Sequence, residues 1–145
     1  ACAAPSDQRT DTWINKDIRQ LYIALHKMGF AHSIEVWSDD ALIGGLYGVA
    51  LRAAFFGESM FSRKSDASKI ALVHLMARLQ HGNFLLLDAQ FTNDHLQQFG
   101  VTEIDRPDFQ GRLAKALASN GDLHFDTPSA ALVVSYLDQL AKRRA

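Results

Sequence analysis

Several features that would indicate particular classes of protein are missing from this sequence. The chain of 145 residues has one cysteine, Cys2, which excludes an intrachain disulfide and a zinc site built from thiolates. It contains no apolar run of about eighteen residues, and residues 1–5 are too few for the apolar region of a signal peptide. A formal net charge of -1 gives no general indication of nucleic-acid binding. We therefore expect a soluble, cytoplasmic protein.

The composition is that of an ordinary globular domain, with 48% hydrophobic and 21% charged residues. A length of 145 residues suits one hydrophobic core, so we expect a single domain over residues 1–145. Residues 1–11 are mostly small and polar and are expected to form an irregular arm. Residues 128–143 are expected to form a C-terminal helix, to which the sequence assigns no role.

Hydrophobic periodicity predicts a series of helices and strands. The predicted helices span residues 13–28, 68–81, 108–118 and 128–143, and Ser65 or Asp66 is expected to cap the second of them. The predicted strands span residues 33–37, 41–51, 52–56, 84–87 and 101–104. The first two strands are expected to form an antiparallel hairpin, and residues 93–98 a short turn or helix.

Three glycines, Gly44, Gly45 and Gly48, lie inside the second predicted strand. They do not form a phosphate-binding loop, because they lack the Lys-Ser/Thr ending and do not open a helix. Glycine inside a strand instead indicates a bulge or a close approach of backbone or ligand. The next strand-to-helix junction, residues 61–67, contains no glycine, which disfavours a pyrophosphate turn for coenzyme A.

The six histidines do not indicate a metal centre. No pair falls at ligand spacing on one helix face near a carboxylate, and no His-Glu-x-x-His pattern occurs. We therefore expect structural or surface histidines and no metal. Only His32 is singled out, because Glu35 is close enough in sequence to be its partner.

An acid and an amide, Asp88 and Gln90, follow the apolar strand predicted over residues 84–87. In an extended segment residues i and i+2 face the same side, so both side chains are expected to stand together at the end of the strand. A helix cap or a satisfied buried pair would explain the same spacing. Spacing alone leaves these alternatives open.

Five blocks of the sequence resemble the signature blocks of bacterial leucyl/phenylalanyl-tRNA protein transferases. They are His32-Ser33-Ile34-Glu35-Val36-Trp37, Gly44-Gly45-Leu46-Tyr47-Gly48, Phe56-Gly57-Glu58-Ser59-Met60-Phe61-Ser62, Ala67-Ser68-Lys69 and Asp88-Ala89-Gln90. The resemblance extends from about Cys2 to Phe109 and includes Thr12-Trp13-Ile14, Leu25-His26, Gly100 and the Ile104-x-Arg106 segment. Members of the family usually carry a further N-terminal domain, to which nothing here corresponds, and residues from Pro128 onward match no family block.

The resemblance implies a single catalytic domain of α/β (α+β) class, with an N-acetyltransferase-like, mixed and mainly antiparallel sheet flanked by helices. Its implied activity is the transfer of leucine or phenylalanine from aminoacyl-tRNA to the α-amine of proteins that begin with Arg or Lys. The product carries an N-degron, which marks it for degradation. The family uses no metal and no coenzyme, so no cofactor is expected.

The resemblance also implies roles for individual residues. We interpret Gln90 as the group that receives and orients the incoming amine. Asp88 would polarise the amide of Gln90 and stabilise the proton as it leaves, and Glu58 would contact the terminal ribose or the cationic acceptor residue. An apolar pocket for the carried amino acid is implied for Leu46, Phe55, Met60, Leu72 and Leu87. Trp13, Tyr22 and Asn93 match positions near the terminal adenosine. Candidate acceptor-stem contacts are Arg52, Arg63, Lys64 and Lys69.

Simpler interpretations stay open for several of these residues. The five apolar residues would also fit a plain hydrophobic core, and Trp13 and Tyr22 would fit core positions of the first helix. The four basic side chains would fit a hydrated surface. Two other functional classes also remain, a coenzyme A-dependent N-acetyltransferase and a non-catalytic RNA- or peptide-binding relative. Binding of acetyl-CoA would favour the former, and binding of aminoacyl-adenosine without transfer the latter.

Overall fold

A computed structural model of the chain describes residues 1–4 and 12–144. The described residues form five helices and four strands, in the order α1 (Lys16–Lys27), β1 (Ala31–Ser38), β2 (Ala41–Leu51), β3 (Ala54–Ser62), α2 (Ala67–His81), β4 (Leu86–Asp88), α3 (Asp94–Gln97), α4 (Arg106–Leu117) and α5 (Ser129–Arg144). Most of the irregular arm predicted over residues 1–11 lies outside the described residues.

The four strands form one sheet in sequence order, β1-β2-β3-β4. The first two pairings are antiparallel and β4 pairs parallel to β3, with Phe56 opposite Asp88. The predicted α/β class, with a mixed and mainly antiparallel sheet flanked by helices, is therefore confirmed. The likeness to N-acetyltransferases stays a prediction.

Helix α2 covers one face of the sheet and closes the main core against it. Phe55 on β3 and Leu75 on α2 are the largest fully buried side chains. Gly44 lies directly beneath the start of α2, where an added Cβ atom would stand 2.5 Å from the Cβ of Ala67. The close backbone approach predicted from the glycines of this strand is thus found at Gly44.

The N-terminus of α2 is capped differently from the prediction. Asp66 occupies the N-cap position with φ of 63°, but its side chain makes no capping hydrogen bond and pairs with Lys69 at 2.7 Å. The hydroxyl of Ser62, at the end of β3, accepts the N–H of Ser68 at 3.2 Å instead. A residue of the preceding strand therefore supplies the cap that Ser65 or Asp66 was expected to provide.

Several predicted elements differ in extent. The strand predicted over residues 33–37 spans 31–38, and the one predicted over residues 84–87 spans 86–88. Helix α1 and the third strand differ more. Helix α1 begins at Lys16, because the side chain of Asn15 accepts the N–H of Ile18 and fixes the N-cap there, so Trp13 precedes the helix. The third strand begins at Ala54 and continues to Ser62, because Arg52 has φ of 58° and belongs to the turn after β2.

The strand predicted over residues 101–104 is wrong, since these residues pair with no strand in the described part of the chain. The N–H of Val101 returns to the carbonyl of Leu96, and the Glu103 carboxylate accepts the hydroxyl of Thr92 at 2.5 Å. Alternating polar and apolar residues here form one wall of a cavity rather than an edge of the sheet.

The predicted C-terminal helix is confirmed as α5, which packs along α2. Leu132 and Tyr136 of α5 form a small buried cluster with Ala77, and the Tyr136 hydroxyl donates to Met76 Sδ at 3.8 Å. At the start of α5, the hydroxyl of Ser129 is hydrogen-bonded to Nδ1 of His74. Helix α5 thus supports α2 on the side away from the sheet.

Unfolding should depend on the protonation of His74. Burial, and secondarily the charge of Arg78, lowers the pKa of His74 below its usual value of 6.5. The unfolded chain then binds more protons than the folded chain as the pH falls below about 6.5, so the free energy of unfolding should decrease over that range. Urea unfolding at pH 7 and pH 5 should show that the free energy of unfolding decreases less in His74→Gln than in the unsubstituted chain. An identical decrease in both would contradict this account.

Candidate active site

A cavity of about 1060 Å³ opens beside the end of β4. Its apolar wall includes Leu72 and Met76 of α2 and Leu87 of β4, and Asp88 and Gln90 lie at its polar side. Residues 99–104 and helix α4 close the opposite side. The cavity thus places an acid and an amide beside an apolar surface.

Asp88 and Gln90 meet in a different way from the predicted extended geometry. The strand ends at Asp88, and Gln90 has φ of 65°, so the chain turns between them. The Asp88 carboxylate accepts the backbone N–H of Gln90 at 2.8 Å. The expectation of a continuous strand is therefore wrong, yet the turn holds both residues on the same cavity. Their chemical roles stay predictions.

Glu58 occupies a β-bulge in β3. Tyr47 pairs with Ser59 and Gly48 pairs with Gly57, which leaves Glu58 as the extra residue of β3. A bulge of this kind redirects a side chain. The redirected Glu58 carboxylate acts on the Tyr22 hydroxyl of helix α1 and contributes to a raised pKa of that phenol. Phe56, two residues earlier on β3, is paired with Asp88, so Glu58 follows the part of β3 that pairs with β4.

Tyr22 and Tyr47 form a second, smaller site on the α1 side of the sheet. Their rings meet edge to face with centroids 5.0 Å apart, and both line a cavity of about 390 Å³. The buried Tyr47 hydroxyl has no hydrogen-bond partner among the described residues. Burial, with smaller effects of Cys2 and Glu58, raises the pKa of Tyr47 to about 12.

The effect of Glu58 on Tyr22 has a spectroscopic consequence. Burial, and then the hydrogen bond to Glu58 and its negative charge, raise the pKa of Tyr22 well above its usual value of 10.0. Replacing Glu58→Gln removes the charge, so the pKa of Tyr22 should fall towards 10.0. The absorbance of tyrosinate, followed as the pH is raised, should show one phenol that ionises earlier. That change should disappear in the double variant with Tyr22→Phe, and its persistence there would assign it to another tyrosine.

The five apolar residues predicted to bind the carried amino acid all belong to the main core, namely Leu46, Phe55, Met60, Leu72 and Leu87. Leu72 and Leu87 line the large cavity, and Leu46 lines the smaller one. Phe55 is 1% exposed and lines neither. The bulge at Glu58 lets Phe55 and Met60 pack against one core although they are five positions apart, which regular alternation would prevent.

The three residues predicted to lie near the terminal adenosine occupy different settings. Trp13 is 50% exposed and precedes α1, whereas Tyr22 lines the smaller cavity. The Asn93 side chain accepts the N–H of Leu96 at 2.8 Å and caps α3. None of the three therefore lines the large cavity, and they do not share one surface. Their predicted role near the adenosine stays a prediction.

Three of the four candidate RNA contacts lie together. Arg63 and Lys64 follow β3, and Lys69 lies in the first turn of α2. The Arg63 guanidinium donates to the carbonyl of Leu42 at 3.0 Å. Arg52 precedes β3 at the opposite end of that strand, so the structure separates it from the other three.

The histidine singled out in the sequence has a different neighbour from the expected one. The His32 ring lies 5.2 Å from that of Phe125, and Glu35 instead accepts from Ser33 and Trp37. Burial lowers the pKa of His32. Among the described residues, no group of three or more His, Cys, Asp or Glu side chains is arranged to hold a metal ion, and no helix has the length and apolar character needed to cross a membrane.

Phe99, Arg106 and Phe109 close the large cavity on its far side but were not predicted as site residues. No periodicity distinguishes them from surface residues, because their position depends on the irregular path of residues 99–105. The resemblance of the Ile104-x-Arg106 segment was the available indication.

The chain is similar to one family of known proteins. A family model described as leucyl/phenylalanyl-tRNA protein transferase matches residues 1–114, which include Glu58, Asp88 and Gln90. Proteins named leucyl/phenylalanyl-tRNA–protein transferase from Phenylobacterium zucineum and Hyphomonas neptunium are 60% and 61% identical to the chain over 124 residues. That alignment covers 86% of this chain and 56% and 48% of the two relatives.

A relative with the same name from Caulobacter vibrioides is 59% identical over 123 residues, which are 85% of this chain and 57% of the relative. The chain thus spans about half the length of the curated relatives it matches. Because the family model covers most of the chain, the protein belongs to the leucyl/phenylalanyl-tRNA protein transferase family.

Proposed function

We propose that this chain transfers leucine or phenylalanine from aminoacyl-tRNA to the α-amine of proteins that begin with Arg or Lys. The product would be an N-degron, and the reaction would take place in the cytoplasm, where charged tRNA is found. The observation that carries the proposal is a cavity, within the family-matched segment, that combines Asp88 and Gln90 with an apolar wall. Membership of the family supports the same reaction.

The proposed chemistry needs little beyond correct positioning. An aminoacyl ester is already activated, and holding an amine against its carbonyl can contribute about 7 to 11 kcal/mol. An α-amine has a pKa of about 7.7 to 8.0, against about 10.4 for a lysine side chain, so more of it is neutral and nucleophilic at neutral pH. This difference favours a chain terminus over internal lysines.

In this proposal Gln90 orients the amine and Asp88 stabilises the positive charge that develops on it. The bond from the amine nitrogen to the acyl carbon forms, and the ester bond to the ribose oxygen breaks. The proton lost by the amine passes to that ribose oxygen, which leaves as a hydroxyl group. The observed turn supports these roles, because the Asp88 carboxylate fixes the backbone of Gln90 at the cavity. Glu58, beside Tyr22, would meet the terminal ribose or the cationic side chain of the acceptor.

The amino-acid side chain would enter the apolar side of the cavity, against Leu72 and Leu87. Both belong to the core cluster that includes Met60, whose flexible thioether suits side chains of different shape. A pocket of this kind discriminates one methylene by only about 1 to 3 kcal/mol, which is consistent with acceptance of both leucine and phenylalanine.

The test is transfer of radiolabelled phenylalanine from Phe-tRNA to a peptide that begins with arginine. We expect labelled peptide with the free α-amine and none with the acetylated peptide of the same sequence, which lacks the nucleophile. Labelling of both peptides would place the acyl group on a side chain, and labelling of neither would overturn the proposal. Acetylation of the peptide by acetyl-CoA would establish the coenzyme A-dependent alternative instead.

A further inference from the structure

The large cavity has more room than a carried amino acid needs. Its volume of about 1060 Å³ is at the upper end of sites for drug-sized ligands, which are about 300 to 1,000 Å³. A leucyl or phenylalanyl group at the Asp88 side would leave the part near helix α4 open. The remaining space suits the nucleoside that carries the acyl group.

Four charged side chains line this cavity, and three of them already have partners. Asp88 accepts the N–H of Gln90, and Glu103 accepts the hydroxyl of Thr92. Arg112 is paired with Asp108 at 2.8 Å. The side chain of Arg106, the fourth, makes no hydrogen bond or ion pair with any other residue in ranges 1–4 and 12–144. Its guanidinium is therefore the lining charge left to meet a ligand.

Arg106 is also poorly placed to stabilise the fold. It is the first residue of α4, whose N-cap is Asp105, with the side chain accepting the N–H of Asp108 at 2.8 Å. The first turn of a helix favours acidic side chains and disfavours cations, because its unpaired N–H groups give it a partial positive charge. A stabilising role in the helix does not account for an arginine at this position.

We propose that Arg106 binds the phosphodiester on the 5′ side of the terminal nucleoside of aminoacyl-tRNA. This inference rests on the proposed function. A guanidinium matches two phosphate oxygens at once through parallel N–H donors. The second substrate, with an N-terminal Arg or Lys, is cationic and would be repelled by Arg106. The charge therefore belongs to the RNA side of the cavity, where it holds the nucleoside while the acyl group faces Gln90.

The experiment compares two analogues that cannot transfer their acyl group. One is 3′-deoxy-3′-(phenylalanylamino)adenosine, an amide, and the other is the same compound with a 5′-methylphosphate diester. We expect the chain to bind the diester about tenfold more tightly in low salt. The Arg106→Gln variant should bind the two analogues equally, and Arg106→Lys should keep part of the preference. Increasing salt should reduce the preference of the unsubstituted chain.

Lys115→Gln is the matched control, because it removes one positive charge from the same helix at a position that does not line the cavity. This variant should keep the tenfold preference. Urea unfolding of Arg106→Gln should show no loss of stability. Weaker binding of both analogues by one common factor in Arg106→Gln would mean that the side chain shapes the cavity, and would overturn the inference.

Two results separate this inference from the proposed function. Equal binding of the two analogues by the unsubstituted chain would overturn the role of Arg106 and leave the proposed function standing. Binding of neither analogue would count against the proposed function itself, and against the inference with it.

Discussion

Replacing Asp88→Ala is expected to lower kcat/KM for phenylalanyl transfer by about 100-fold, which corresponds to about 2.7 kcal/mol of transition-state stabilisation. The side chain has two contributions to lose. Its charge would stabilise the proton on the attacking amine, and its oxygen accepts the N–H of Gln90 and fixes the turn at the cavity. Most of the loss should fall on kcat, because neither contribution binds the tRNA directly.

Asp88→Asn separates the two contributions. The amide oxygen can still accept the N–H of Gln90, but the negative charge is gone. Transfer as slow as in Asp88→Ala would assign the effect to charge, whereas recovery of the full rate would assign it to the geometry of the turn. Asp40→Asn, in the exposed turn between β1 and β2, is the control and should transfer at the unsubstituted rate. An unchanged rate in both Asp88→Ala and Gln90→Ala would remove these residues from the proposed mechanism.

Replacing Gly48→Ala is expected to destabilise the chain by about 3 kcal/mol, because the new methyl group has no room. Its Cβ would lie 2.2 Å from the carbonyl oxygen of Phe56 and 2.4 Å from the ring of Phe55. The ring of Phe55 is fully buried and cannot move aside. The carbonyl of Phe56 belongs to the backbone of the neighbouring strand. Relief of this contact requires the strands to separate beside the bulge that directs Glu58.

Gly111→Ala is the matched control for that experiment. Gly111 lies in helix α4, where an added Cβ would have no atom within 4 Å. Alanine is favoured over glycine in a helix interior by about 0.8 kcal/mol, so this variant should be slightly more stable. Urea unfolding of both variants decides the matter. A change of less than about 0.5 kcal/mol in Gly48→Ala would mean that the sheet accommodates the methyl group.

Local sequence signals predicted the elements whose boundaries depend on near neighbours. The second strand was predicted over residues 41–51 and is found there, because a turn at Asp39 and Asp40 opens it and Arg52 closes it. Helix α2 ends at His81 with Gly82 as its C-cap, where the glycine predicted the end of the helix. These boundaries depend on residues that are close in sequence.

Features that depend on pairing across the sheet could not be predicted in the same way. The bulge at Glu58 exists only relative to Tyr47 and Gly48 of the neighbouring strand. Residues 101–104 alternate like a strand but pair with no strand among the described residues, and they line the cavity instead. The sequence predicted that Asp88 and Gln90 stand together at the candidate site. It did not predict the turn between them, because nothing in the sequence indicates that Gln90 adopts a left-handed φ.

Because α5 packs against α2, the part of the chain that folds together extends beyond the part that matches the family model. The family model ends at residue 114, yet Tyr136 contacts Met76, which lines the large cavity from behind. A chain shortened to the matched region would lack α5 and would expose apolar side chains of α2, including Val73 and Ala77, to water. In this protein, the segment that lies beyond the family match is part of the scaffold on which the large cavity is built.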